Sequence, residues 1–367
     1  MPIAVSGSNI VFADGSSIAS GFTGFKNRII NGAMVIDQRN AGASVTLDGN
    51  GVYPVDRWRC DEATDGVATG QQVSDAPVGF VNSLKFTTTT ADSSLASGQY
   101  MAANHFIEGF NTADFNWGSV NAKTFTISFW VKSSLTGTFA GGVDNNSGNR
   151  SYVFNYTISS ANTWEYKTVT IAGDTTGTWE TNNSRGLGLR FGLGSGTTFE
   201  GTVGAWQSGS RFSSSGAVSV IGTLNATWQI TGVQLEAGSS ATSFEYRDYG
   251  NELRMCQRYF IQTEQYGQST GGAPTITNYI GLSISAFNWT WDSVSFPVAM
   301  RTSATVTTSD FNGNIGKISI WTSSGGGTAF NINPYTLYAT RNGFSYSDYN
   351  NAKFGVGIGG YIASAEL

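Results

Sequence analysis

The chain is predicted to be all-β: a jelly-roll sandwich, then a short helix, then a second and smaller C-terminal β-sandwich domain. Three observations carry that prediction. Aromatic residues are 13% of the 367 residues and charged residues 12%, where average chains carry roughly 25% charged residues. The surface must therefore be covered by neutral polar groups, and Ser, Thr, Asn and Gly supply them. Strict alternation recurs, as where Phe125, Ile127, Phe129 and Val131 interleave with Thr126, Ser128, Trp130 and Lys132, the period of a strand with one face on a core. Turn formers punctuate these runs, with 47 Gly against 6 Pro, a usage that suits many short strands joined by tight turns.

Taken in order, residues 1–24 hold one short apolar run, Ile10, Val11 and Phe12, amid Ser and Gly. That is too little to bury a core alone, so the segment is expected to be an arm for attachment or oligomerisation. Residues 25–247 hold strand candidates at 84–88, 125–131, 152–158, 164–171, 187–193 and 228–235. Turn signals fall between them at Asp65-Gly66, Ser97-Gly98, Gly173-Asp174 and 194–196. Many short strands so punctuated predict a two-sheet sandwich. Residues 248–260 read as a linker helix, with Leu253, Cys256 and Phe260 at helical spacing, Asn251 as N-cap and Glu252 in the first turn. Residues 261–367 return to β patterning at 293–298, 305–308, 317–322, 337–340 and 354–358. There Pro297 suits an edge, SSGGG at 323–327 suits a hairpin tip, and the length suffices for a small domain.

Several function classes are disfavoured. The net charge is −5 with no basic cluster, whereas nucleic-acid binding needs a positive footprint. No apolar run reaches the length of a membrane span. The N-terminal MPIAVSGSNIVFADG lacks the basic start and apolar run of a signal peptide, so synthesis in a cytoplasm is expected. Cys60 and Cys256 are accordingly expected as free buried hydrophobes, not a disulfide. The single histidine, His105, is expected to be structural, since it has no visible triad partner and zinc sites need several Cys or His ligands. The loop VDNNSGNR at 143–150 gathers Asp144, Asn145, Asn146 and Asn149 without EF-hand spacing. It reads as a turn, with calcium as the alternative. FGLGSGTTF at 191–199 lacks the Lys of a phosphate loop and reads as a hairpin. No local motif names the carboxyl pair of a glycosidase. No cofactor and no catalytic activity are expected.

Five strings carry a resemblance: GFKNRIINGAMVIDQRNAG at 24–42, GVYPVDRW at 51–58, WQITGVQLEAGSSATSFEYRDYGNELRMCQRYF at 228–260, SFPVAMRTSATV at 295–306 and YIASAEL at 361–367. They are similar to a widespread family of phage particle proteins, tail-fibre or virion structural proteins of phages of marine bacteria and cyanobacteria. The resemblance implies a jelly roll like carbohydrate-binding modules and a distal, host-facing C-terminal β domain. It also implies a homotrimer in the virion, with the N-terminal arm meeting other virion proteins and the far end meeting a host-surface glycan or protein. Capsid-surface decoration and a glycan-degrading tailspike are the rival addresses. The apolar members of the strings, Ile29, Ile30, Trp58, Trp228, Val233 and Leu235, are expected in the core.

Sugars stack a CH-rich face on aromatic rings whose polar handles can bond the hydroxyls. In the C-terminal part, ISAFNWTWD places Trp289 and Trp291 on one side of an expected strand, and NPYTLYATRNGFSYSDYN adds Tyr335, Tyr338 and Tyr346. These five are the candidate ligand-binding residues. The competing reading makes them core and subunit-interface aromatics.

Overall fold

The computed structural model describes the backbone of residues 4–6, 9–11, 17–19, 25–263, 280–283, 290–309, 315–321, 330–332, 336–348, 355–358 and 360–367. Period-two alternation over residues 45–237 yields strands β1 (Val45–Leu47), β2 (Asn50–Val55), β3 (Trp58–Ala63), β4 (Val67–Val73), β5 (Ser83–Thr90), β6 (Tyr100–Glu108) and β7 (Phe125–Ser133), followed by β8 (Gly137–Asp144), β9 (Arg150–Ile158), β10 (Glu165–Ile171), β11 (Arg185–Ser195), β12 (Trp206–Ser208) and β13 (Thr227–Ala237). They form a six-stranded sheet, β10-β7-β13-β5-β4-β1, and a seven-stranded sheet, β12-β9-β8-β11-β6-β3-β2, antiparallel throughout. The expected strands are thus present, within a larger set.

The inner faces of the two sheets make one core. Phe125, Ile127, Phe129 and Val131 of β7 are all fully buried, as are Trp58, Trp228, Leu187, Leu189 and Leu193. Phe191 is a hub of this core: Trp58, Phe129, Phe154, Tyr156 and Trp228 lie with ring centroids 5.0 to 6.5 Å from it. Each such ring contributes on the order of 1.5–3 kcal/mol by leaving water. The Trp228 indole N–H donates to the Tyr156 hydroxyl at 3.1 Å, so the polar handle of each is paired.

Three details differ from expectation. The run 191–199 is not a hairpin. β11 continues through Ser195, with a register shift between Gly192 and Gly194, and a 3-10 turn over Thr197–Phe199 follows. Gly194, at φ 145°, supplies the bulge conformation that side chains disfavour. The helix α1 spans Tyr249–Gln257 and is capped by Asp248, whose carboxylate accepts from the Asn251 N–H, so Asn251 is not the cap. Asp248 is extended, which frees its side chain to bend back over the first turn. Phe260 leaves the helical pattern and starts a strand, Phe260–Gln262. Pro297 lies past the end of its strand, Thr290–Ser295.

Beyond α1 the chain builds small sheets. Phe260–Gln262, Gly360–Ser364 and Thr305–Ser309 form one. Thr290–Ser295, Gly343–Asp348 and Thr336–Ala339 form another. Ile280–Ser283, Gly355–Ile358, Ile318–Trp321 and Phe330–Ile332 form a four-stranded sheet. A separate small core joins Ile261, Val294, Phe296, Met300, Phe344 and Tyr361. At the N-terminus, Ala4–Ser6, Asn9–Val11 and Ser17–Ala19 pair with one another. Among the described residues no helix is long and apolar enough to cross a membrane.

The strings at 24–42, 51–58, 228–260 and 361–367 meet at one junction. Asn27 bonds along β13, its side chain donating to the Val233 carbonyl (3.1 Å) and accepting from the Leu235 N–H (3.1 Å). Asn31, wholly buried, donates to the carbonyls of Ile36 and Asp56, accepts from the Ile36 N–H, and offers its own carbonyl to the Trp58 indole. Arg258 clasps the Glu108 carboxylate through two nitrogens, and the Tyr259 hydroxyl donates to the same group. Arg39 and Arg57 both pair with Glu366. The six apolar members named from these strings are all buried. These strings are framework, fastening α1 and the C-terminal segment to the sandwich.

Candidate functional site

The seven-stranded sheet has an inner and an outer face, and register assigns residues to each. Val143, Leu189, His105 and Trp58 stand directly opposite one another across four strands and all are fully buried in the core. One position along, Gly142, Arg190, Asn104 and Arg59 form the next row, which alternation puts on the outer face. A pocket of about 370 Å³ opens there, lined chiefly by Arg59, Asp61, Phe106, Arg185, Arg190 and Arg301.

The local sequence explains the shape. In β11, RGLGLRFGLGS, the inward positions are Leu and Phe while the outward ones are Gly, except for Arg190. A strand with glycine on its outer face lets neighbouring side chains lie close to its backbone. A Cβ on Gly188 would stand 2.3 Å from Asp144 Oδ1 and 3.3 Å from the Phe106 ring. Three guanidinium carbons surround that ring, those of Arg185, Arg190 and Arg59 at 4.8, 5.4 and 5.6 Å from its centroid, which is cation–π range.

Charge pairing in the pocket is uneven. Arg59 donates to Asp61 Oδ1 at 2.6 Å. Arg190 donates through Nε to Asp144 Oδ2 at 3.0 Å, where the Ser210 hydroxyl also donates. Arg185 Nη2 lies 3.4 Å from Asp144 Oδ1 and donates to backbone carbonyls of Asn145 and Asn146, while its Nε has no hydrogen-bond partner. Arg301 donates to the carbonyls of Ala365, Asn183 and Glu366 at 2.8 to 2.9 Å. Burial holds Arg185 and Arg301 below the ordinary guanidinium pKa. Asp61 and Asp144 are fastened to arginines, and Asp61 also accepts from Asn104.

Other residues singled out in the sequence find structural places. His105 sits mid-strand, with Nδ1 donating to the Arg57 carbonyl (3.1 Å) and Nε2 accepting from the Ile30 N–H (3.3 Å). This arrangement requires the neutral ring, and burial lowers its pKa well below the usual histidine value. Cys60 and Cys256 are free and buried. Asn145 closes the 143–150 loop as a turn: its amide oxygen accepts from the N–H groups of Asn149 and Arg150. Among the described residues no group of three or more His, Cys, Asp or Glu could hold a metal ion.

Of the five C-terminal candidates, Trp289 and Tyr335 lie outside the described residues. The backbone places Trp291 opposite Ser347 and Tyr346 opposite Asp292 and Leu337. Tyr338 is 58% exposed. Trp291 and Tyr346 therefore occupy alternate rows of one small sheet, and sequence reasoning could not see that division.

Two aromatic groups on the sandwich went unnoticed in the sequence. Trp117, Trp179 and Trp206 follow one another at 4.9 and 5.5 Å, at interplanar angles of 68° and 82°. Their indole N–H groups are spent on the carbonyls of Lys123, Thr176 and Ala172. Perpendicular rings with occupied donors give no flat platform for a sugar. Trp130 and Tyr166 pair at 5.3 Å on the six-stranded sheet. The arginine pocket is the better-formed site. The signal that could have found it is the glycine face of β11.

No protein-family model matches the chain, and no curated protein matches it by sequence. Solved structures do resemble it. A bacteriophage CBA120 tailspike protein's enzymatically active domain aligns at TM-score 0.30 and 13% identity, over 59% of this chain and 22% of that one. The alignment thus spans about a fifth of the tailspike chain. The family 11 carbohydrate-binding module of a Clostridium thermocellum cellulosomal cellulase aligns at TM-score 0.29 and 12% identity, over 55% of this chain and 98% of the module. A family 4 carbohydrate-binding module aligns at TM-score 0.28 and 17% identity, over 57% and 99%.

Proposed function

We propose that the protein is a non-enzymatic structural component of a phage particle, a fibre or spike, whose sandwich binds a host-surface glycan during adsorption. The observation that carries the glycan reading is the open pocket on the outer face of the seven-stranded sheet. Arg59, Arg190 and Asp61 line it as polar groups fixed by ladder register, and fixed polar groups are what orient a small polar ligand. The virion address is supported by the resemblance of the strings at 24–42, 51–58, 228–260, 295–306 and 361–367 to phage particle proteins. The non-catalytic reading is supported by the chemistry at hand. His105 is buried and neutral, both cysteines are buried, and Asp61 and Asp144 are tied to guanidinium groups. A trimer suits the same reading, with residues 1–24 as the assembly arm.

Two measurements test it together. A cryo-EM map of the intact particle should contain this chain at a fibre or spike with threefold symmetry. A glycan array probed with the purified chain should give sugar binding without shortening of the sugar. Absence of the chain from the particle overturns the virion reading, depolymerised product overturns the non-enzymatic one, and an array with no positive overturns the glycan one.

A further inference from the structure

We propose that the pocket on the seven-stranded sheet takes an acidic saccharide, holding the carboxylate of a uronic-acid-type sugar between Arg59, Arg190 and Arg301. The inference rests on the glycan-binding reading of the same pocket and names the chemical class of sugar.

Charge counting comes first. Four guanidinium groups meet at the pocket: Arg59, Arg185, Arg190 and Arg301. Two carboxylates answer them. Asp61 serves Arg59 and stands 4.0 Å from Arg190. Asp144 serves Arg190 and Arg185. Arg301 donates to three carbonyl oxygens and forms no ion pair among the described residues. The four guanidinium groups thus outnumber the two side-chain carboxylates bonded to them, on a chain whose net charge is −5. Buried charges are ordinarily paired, and here the missing partner is an anion.

Shape selects the kind of anion. A guanidinium presents a planar fork that matches a carboxylate through two parallel N–H bonds. Arg59 and Arg190 are held in the same ladder row with Asn104 between them, so both line the same pocket. A nucleic acid would need a basic stripe along its backbone, and the acidic chain has no such stripe. Polar neighbours at the rim, Asn146 and Ser184, can bond the hydroxyls of the sugar ring.

The test is calorimetry on the whole chain with oligogalacturonate, a neutral galactan oligomer of matched length, dextran sulfate and inorganic phosphate. Oligogalacturonate should bind at least about tenfold more tightly than the neutral oligomer, and the affinity should fall as salt rises from about 50 to about 500 mM. Arg301→Gln and Arg59→Gln should each weaken it about tenfold. Arg59 donates to the side chain of Asp61 and not to the three backbone carbonyls that Arg301 holds, so it serves if the Arg301 variant misfolds. Tyr166→Ala on the other sheet should bind as the parent does. Equal binding of the neutral oligomer overturns the acidic-sugar inference while leaving glycan binding intact. Preference for dextran sulfate or phosphate overturns the carboxylate assignment, and uronate binding indifferent to both arginine variants overturns this pocket as its site. No binding to any saccharide overturns the inference together with the glycan reading beneath it.

Discussion

Arg57 and Glu366 stand 309 positions apart in the sequence and form an ion pair in which their side chains are 2% and 10% exposed. Arg57 also donates to the Phe106 carbonyl and lies over the Tyr259 ring at 3.6 Å. The pair ties the segment after the last strand to β6 and to the segment after α1. Removing one partner leaves the other charge buried, which costs about 3–5 kcal/mol. Glu366→Gln should therefore lower the unfolding free energy obtained from a urea titration by about 3–5 kcal/mol. The double variant Arg57→Met, Glu366→Leu should recover much of the loss, because neither charge then remains. Equal destabilisation of both proteins would show that the pair's charge is not what matters.

His105 makes stability pH-dependent with a definite sign. Burial, and then the Arg57 charge, hold its folded pKa well below the usual value. The unfolded chain takes up a proton near pH 6.5 and the folded chain does not. The contribution is thus fully present above about pH 6.5 and is lost as pH falls, with a limiting slope of about 1.4 kcal/mol per pH unit. Asp56 acts in the opposite sense. Burial pushes its pKa up from 3.8 to about 6, so its contribution is lost as pH rises through that window. The stability of the parent minus that of His105→Gln isolates the histidine and should shrink steadily below about pH 6.5. The single imidazole resonance should stay unshifted from about pH 8 to about pH 5 in the folded protein.

Asn31 adopts φ 58° and spends its amide on Ile36 and Asp56. Asparagine tolerates this left-handed conformation, and the three bonds occupy buried backbone groups. Each group left unsatisfied costs about 1–3 kcal/mol. Asn31→Ala should lose both the conformation and the bonds and be the least stable. Asn31→Gly should lose only the bonds and fall between. Denaturant midpoints at unchanged slope will order the three proteins.

Gly188 and Gly192 lie two apart on the same strand face, yet their surroundings differ. A Cβ at Gly188 meets Asp144 Oδ1 at 2.3 Å, whereas one at Gly192 meets the Phe212 carbonyl at 3.2 Å. Asp144 is held by Arg190 and Ser210 and cannot move without breaking those bonds. Gly188→Ala should cost about 1–3 kcal/mol, the usual toll of overpacking, and distort the arginine pocket. Gly192→Ala should cost less. Thermal melts of both variants make the comparison, and equal shifts would refute the argument.

Much of the sandwich was legible because alternation is local. Phe125 to Val131 declares its own two faces, and so does Leu187 to Leu193. The bulge at Gly194 was not, because a glycine-rich stretch reads equally as a turn until its partner strand β6 sets the register. The helix boundary was legible to within a turn, but the cap was not. Both Asp248 and Asn251 can cap, and only the extended backbone at Asp248 chooses between them.

The pocket was hidden for a different reason. Arg59, Arg190 and Arg301 belong to separate segments, and no local spacing connects them. The aromatic C-terminal string drew attention because its residues are neighbours in sequence, whereas strand register sends adjacent residues to opposite faces.

By itself, the sequence determined the all-β class, the core members such as Trp58 and Trp228, and the structural role of His105, since these follow from composition and short-range period. Only the tertiary structure decided that Arg57 meets Glu366, that the strings at 24–42, 51–58, 228–260 and 361–367 form one buried joint, and that four arginines line one pocket. Those are long-range pairings set by ladder register and by the closing of the last strand onto the sandwich. Their energy comes from burial and charge compensation between segments that no local pattern brings together.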